Sequence, residues 1–184
     1  MVYNGGMKHH STHFAELSVA LLAIDRHEFD RAVSMLEAAR DKNASVWLFG
    51  NGGSAATASH FANDLTKMCK MKAFALTGMI PTMLAYGNDD GWDHMFSHML
   101  DVYQDRNDVL VAISCSGNSE NVVQAVRSIV NVIILTGNEF VDNKLVHTEP
   151  SGKHVIIPAM SDDITIQEDV HMAVCHAVAK ALRK

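Results

Sequence analysis

The chain of 184 residues carries a net charge of −6, with 48% hydrophobic and 20% charged residues. That acidic balance excludes a general nucleic-acid or membrane-surface binder, which needs a basic face, and the length suits one domain with a sizeable core. The three cysteines, Cys69, Cys115 and Cys175, form no CxxC pair; with no signal peptide and no apolar run long enough to span a membrane, they predict a reducing, cytoplasmic setting.

Residues 1–13 are polar and glycine-containing, and read as a flexible N-terminus ahead of a single domain over 14–184. From Phe14, apolar residues recur at helical spacing through Leu17, Leu21, Ile24, Phe29, Val33 and Leu36. This predicts one long helix to about residue 40, or two helices with a break near Asp25–Glu28. Val46–Gly50 is a short apolar run ending in glycine, the pattern of a buried strand feeding a tight loop. A helix follows from Ser54 to about Met68, then a strand over Lys72–Leu76 and a short helix over 81–87. Another helix covers Trp92–Tyr103, and Val109–Ser114 reads as a strand. The remaining expectations are a helix over about 120–129, strands over 132–137 and His154–Pro158, and a closing helix over about 166–182. The junction near 129–132 is short for a helix-to-strand loop: either the helix stops early, near Ala125, or residues are absent there. Strands that alternate with helices and read as continuous apolar runs predict an α/β fold, with a five-stranded parallel sheet covered by helices on both faces.

Ligands of such sheets bind beyond the carboxyl ends of the strands, where two glycine- and serine-rich loops fall. The first, after the strand at 46–50, contains Asn51, Gly52, Gly53 and Ser54. The second, after the strand at 109–114, contains Cys115, Ser116 and Ser119, with Ser114 at its start. Each leads into a helix N-terminus, where backbone N–H groups and the helix dipole favour an anion. Neither loop has the Gly-Lys-Ser/Thr of a nucleoside-triphosphate loop or the GxGxxG of a dinucleotide loop, so the expected ligand is a small phosphate ester. In the helix opened by the first loop, His60 and Asp64 share one face at i and i+4. Such a helix serves an anion at its first turn and the other end of the same ligand further on.

The motifs VWLFGNGGSA with HFANDL, then AYGNDDG, ISCSGNSENV, LTG and QEDVHMAVCH, run in this order from about residue 14 to the C-terminus. In this the chain resembles the sugar-isomerase (SIS) domain family. Within it, the chain resembles the phosphoheptose isomerases, which convert sedoheptulose 7-phosphate to a heptose 7-phosphate. The resemblance implies a three-layer α/β/α sandwich and a homotetramer with active sites between subunits. It implies phosphate binding by Ser114, Ser116 and Ser119, and contact of Asn51, Ser54 and Asp89 with the sugar phosphate. It also matches His60 and Asp64 to metal-binding and catalytic positions.

The similar enzymes carry Gln-Glu-aliphatic-His and a second His five residues later; this chain reads Gln167-Glu168-Asp169-Val170-His171, then His176. At about 100° per residue, Gln167 and His176 lie on opposite faces of a helix, while Glu168 and His176 differ by only about 80°. Glu168 therefore stands in for the family's glutamine ligand, although about 12 Å of helix axis separates it from His176, a span one metal bridges only with extended side chains, a helix irregularity or ligands from two subunits. The expected metal set is His60, Asp64, Glu168 and His176, a donor group that suits zinc, with manganese or iron(II) as alternatives. Asp64 stands where the family has glutamate. The expected reaction is aldose–ketose isomerisation through an enediol, with Asp64 as base and His176 as acid. The other classes in view are a non-catalytic SIS protein that binds a protein partner such as a replication initiator, and a sugar-phosphate sensor with the loops but no turnover.

Overall fold

Five apolar runs form an all-parallel sheet in the order β2-β1-β3-β4-β5. They are β1 (Ser45–Gly50), β2 (Lys72–Ala75), β3 (Val109–Ser114), β4 (Asn131–Thr136) and β5 (Lys153–Pro158). The computed structural model describes residues 7–127, 131–139, 142–148 and 152–183. Its helices are α1 (Met7–Leu22), α2 (Arg26–Asp41), α3 (Gly52–Cys69), α4 (Ile80–Asp89), α5 (Met95–Tyr103), α6 (Glu120–Arg127), α7 (Lys144–His147) and α8 (Ile164–Leu182).

The central strands β1, β3 and β4 read as unbroken apolar runs because they are buried on both faces, while the edge strands β2 and β5 are part exposed. Alternate side chains enter different cores. Val46, Leu48, Val111, Ile113, Ile133 and Leu135 pack with residues of α2, α3 and α8. Trp47, Phe49, Leu110, Ala112, Val132 and Ile134 pack with α5 and α6 on the other side. The result is the expected three-layer sandwich. From β1 the chain moves outward to β2, then returns to β3 and continues the other way. The strand order reverses between β1 and β3, so the crevice at their carboxyl ends is where a ligand has room. Both glycine- and serine-rich loops flank that crevice.

One open alternative is settled and three local expectations change. The stretch over 14–40 is two helices, because the Asp25 side chain caps α2 by accepting from the N–H groups of His27 (2.7 Å) and Glu28 (3.4 Å). Residues 7–13, read as part of a flexible tail, belong to α1. His13, on that segment, is anchored by a 3.0 Å contact between its Nε2 and Asp169 Oδ2 on α8. The segment Trp92–Tyr103 opens with a turn of 3-10 helix at Trp92–His94 before α5 begins. Helix α7 was not expected, being too short to show a periodicity. The junction at 129–132 lies largely outside the described residues; α6 is described to Arg127 and β4 from Asn131.

The amino ends of the strands are tied by one buried carboxylate. Asp108 accepts from the Ser45 N–H (2.8 Å), the Trp47 indole N–H (2.9 Å) and the Asp105 N–H (3.0 Å). Its own carbonyl accepts from the Asn131 side chain (3.2 Å), which brings in β4. Asp108→Ala orphans three donors, and is expected to lower unfolding free energy by about 3 kcal/mol, read as a reduced urea midpoint with unchanged slope.

Candidate functional site

Helices α3 and α8 lie side by side and run in the same direction. Gly53 faces Glu168, His60 faces His176, and the Cys69 thiol donates to the Ala179 carbonyl at 3.3 Å. Their shared seam is apolar, with Ala58, Phe61, Ala62 and Leu65 of α3 and Val170, Val174, Cys175 and Val178 of α8 in one core cluster. His60, Asp64 and His176 sit at the rim of that seam.

The three form one group. Nε2 of His176 is 3.1 Å from Nε2 of His60, and Asp64 Oδ2 is 3.4 Å from His60 Nε2 and 3.9 Å from His176 Nε2. Asp64 is buried, and its other oxygen accepts from the Asn63 side chain at 3.3 Å, so Oδ2 faces the imidazoles. The imidazoles are about half exposed, at 48% and 54%. The geometry fits a metal ion. Ligand bonds of about 2.0–2.1 Å at tetrahedral angles place donor atoms about 3.3 Å apart. The three donor atoms lie within 4.8 Å of one another. Two imidazoles and one carboxylate leave a fourth position open, as catalytic sites do.

Glu168 of the same chain does not join this group, so the expected four-residue set is not assembled within one chain. Two turns of α8 separate it from His176, and no irregularity shortens the path. Its carboxylate lies instead against Gly53, so closely that a Cβ there would collide with it. A side chain at Gly53 would displace the Glu168 carboxylate from this position. A carboxylate at the first turn of α3 is also held by the helix dipole. Gln167 is committed elsewhere, its side chain donating to the Ser161 carbonyl at 2.7 Å.

The two loops are joined by a reciprocal amide pair. Asn51 Nδ2 donates to Asn121 Oδ1 (2.9 Å), and Asn121 Nδ2 donates to Asn51 Oδ1 (3.0 Å). Asn51 precedes α3 without capping it, because its side chain is spent on Asn121. In the second loop Ser114 is buried, Ser116 is exposed and its hydroxyl accepts from the Asn118 N–H (3.2 Å), and the Ser119 carbonyl opens α6. Asp89 ends α4, exposed, its carboxylate held by Asn88 at 2.7 Å, and no described hydrogen bond joins it to the loops. The sequence reading overlooked Asn121 and Asn143. An asparagine beside the valines of the helix expected over about 120–129 was the available signal for the first; the second lies just before the unpredicted α7.

Behind the second loop, His171 of α8 is buried and neutral. Burial lowers its pKa to about 4, against the raising effect of its bond to the Thr136 carbonyl at 2.8 Å. Since Nε2 donates there, Nδ1 is an acceptor, and the Cys115 thiol reaches it at 3.8 Å. Burial pushes the Cys115 thiol up to about 11, the Ser54 hydrogen bond opposing and Glu168 adding to the rise, so Cys115 is a thiol and not a nucleophile. A groove of about 630 Å³ lies at the opposite, amino edge of the sheet, lined by Arg31, Lys42, Asn107, Asn131 and Lys153. It contains no residue of the two loops.

Residues 11–133 match the family model described as SIS domain. The phosphoheptose isomerase of Campylobacter concisus (strain 13826) is 38% identical, over 75% of this chain and 77% of that protein. The phosphoheptose isomerase of Bordetella avium (strain 197N) is 34% identical, over 82% of this chain and 80% of its own length. Among solved structures, the phosphoheptose isomerase of Neisseria gonorrhoeae superposes with a TM-score of 0.83 at 31% identity, covering 94% of this chain and 95% of that one.

His171 makes stability depend on pH with a definite sign. Its pKa is about 4 folded and 6.5 unfolded, so the unfolded state binds the proton first as pH falls. The contribution is full above about pH 6.5 and is lost toward pH 4, by roughly 3 kcal/mol. Denaturant titrations at pH 7 and pH 4.5 should show this loss, and His171→Gln should show a shallower one.

Proposed function

The chain belongs to the SIS domain family, and from that membership and the geometry of α3 and α8 we propose that it is an aldose–ketose isomerase of phosphosugars, acting on sedoheptulose 7-phosphate. The observation that carries this is the placement of the crevice, where the Asn51–Asn121 pair joins the two loops, and of the His60–Asp64–His176 group at two levels along α3. From Gly53 to His60 is about 10 Å along α3. A seven-carbon chain with a terminal phosphate, at about 1.5 Å per bond, spans about the same length when extended. Ser114, Ser116 and Ser119 are assigned the phosphate, while Asn51 and Ser54 meet the sugar near it.

Isomerisation requires a proton to leave one carbon and return to its neighbour, with a second proton shuttled between the oxygens. Asp64, with Oδ2 facing the two imidazoles, is the assigned base at carbon, and His176 the acid at oxygen. Glu168 is a second carboxylate, held at Gly53 and free of the three-residue group. Zinc is assigned to the same three residues as the alternative state of the group: His60, Asp64 and His176 would hold it and it would polarise the substrate carbonyl, and while they hold it their lone pairs carry no proton. The half-exposed imidazoles support a homotetramer in which a neighbouring copy covers the seam. A cytoplasmic location is supported by three unpaired cysteines and by the absence, among the described residues, of a helix long and apolar enough to cross a membrane.

A panel of ketose phosphates, assayed with and without zinc, tests the reading. Turnover is expected on sedoheptulose 7-phosphate, and on no panel member would sink it. Asp64→Asn and His176→Ala are each expected to lower kcat by about 10²-fold or more. Full activity in both would remove these residues from the chemistry, and a larger loss in Glu168→Gln than in Asp64→Asn would move the base to Glu168. Native mass measurement should find four copies; a monomer would overturn the assembly. Dialysis against a chelator should lower bound zinc to background, and His60→Ala should fail to recover it.

A further inference from the structure

The serine loop is backed by a buried polar chain that ends in its first peptide. Thr136, the last residue of β4, is fully buried. Its hydroxyl donates to the Ser114 carbonyl at 3.0 Å and accepts from the Asn143 side chain at 2.9 Å. Its carbonyl accepts from His171 Nε2 and from the Ala159 N–H, both at 2.8 Å. Asn143 is also fully buried, and its oxygen caps α7 by accepting from the Val146 N–H at 3.4 Å. The hydroxyl therefore has one direction available. With Asn143 donating to it, its own proton goes to Ser114.

This matters because a trans peptide is planar, with its carbonyl and the next N–H pointing opposite ways. Pinning the Ser114 carbonyl toward Thr136 aims the Cys115 N–H away from β4, toward β1 and the crevice. The next peptide is pinned the same way, the Cys115 carbonyl accepting from the Gly137 N–H at 3.0 Å, which aims the Ser116 N–H. The loop then turns at Gly117, whose φ of 63° suits glycine and whose missing Cβ leaves room for the Asn143 side chain. The Gly117 carbonyl accepts from the Leu145 N–H at 3.1 Å, and Asn118 grips the same segment. It donates to the Asp142 carbonyl at 2.6 Å and accepts from the Lys144 N–H at 3.0 Å.

We propose that Thr136 and Asn143 are positioning residues for substrate phosphate: a side-chain relay from the segment before α7 that orients the Ser114–Cys115 peptide, and with it the serine loop's N–H donors. Neither side chain touches the ligand. The relay rests on the reading that this loop takes the phosphate, and it accounts for two buried polar residues that catalysis does not otherwise use. Preorganised donors bind an anion without the cost of ordering a loop, and that advantage is what the relay supplies.

Thr136→Val keeps shape and removes the hydroxyl; Thr136→Ser restores it. Affinity for inorganic phosphate is measured by calorimetry, and KM and kcat on sedoheptulose 7-phosphate, with folding checked by circular dichroism. Thr136→Val should weaken phosphate binding and raise KM about tenfold, the effect of about 1.4 kcal/mol, with kcat within about twofold and Thr136→Ser near the parent. Asn143→Ala should act in the same direction, and the double variant should be no worse than the worse single, as coupled members of one chain are. If Thr136→Val does not fold, Asn143→Ala decides alone. Unchanged phosphate affinity in a folded variant overturns the relay, as does additive loss in the double variant or a parent that binds no phosphate. A parent that turns over no ketose phosphate, yet loses phosphate affinity on Thr136→Val, keeps the relay and refutes the isomerase.

Discussion

Helices α3 and α8 run parallel because each follows a strand of the same parallel sheet, β1 and β5, and each must return across the same face. Parallel neighbours that start at one edge keep their residues in register by height. Gly53 meets Glu168 near the crevice and His60 meets His176 two turns below. The distance between anion loop and imidazole pair is thus set by helix rise, not by any flexible element. An antiparallel pair would have placed the histidine of α8 at the far end of the seam from its partner on α3.

Height also explains why one helix cannot serve the same ion twice. Glu168 and His176 point to similar sides of α8, which helix periodicity already indicated, but the axis between them is about 12 Å long. The carboxylate finds another use. At the first turn of α3 it meets the positive end of the helix and partly neutralises one of the two anion seats at the crevice. The serine loop, with the α6 N-terminus behind it, is the other seat, and among the described residues no carboxylate is packed against its glycine as Glu168 is against Gly53.

Much of this was legible in the sequence, for identifiable reasons. The central strands, covered on both faces, show as apolar runs, and the edge strands β2 and β5 keep enough apolar residues to be expected close to their observed bounds. His60 and Asp64 share a face by helical spacing alone, and the break at Asp25 was among the open alternatives. What could not be read was anything that depends on pairing across the fold. Asn51 finds Asn121 seventy positions away, and Thr136 joins Ser114, Asn143 and His171 from three separate elements. The four residues of α7 are held by hydrogen bonds to Asn118 and Gly117, not by an amphipathic pattern, so no periodicity marks them. His13 reads as tail until Asp169 on the last helix is placed beside it.

The amide pair at the crevice bears on how the protein ages. Asn51 is followed by Gly52, a dipeptide in which the small residue lets its own backbone nitrogen approach the asparagine side-chain carbonyl. Ring closure there expels ammonia, and hydrolysis leaves an acid. The two hydrogen bonds to Asn121 hold the Asn51 side chain away from that approach while the loops stay together. Once the amide is lost, the acid has no N–H to give, and Asn121 Oδ1 faces a carboxylate with nothing between them. The bridge between the loops is therefore also their preservative, and its failure would be a slow, covalent and one-way change in the shape of the crevice.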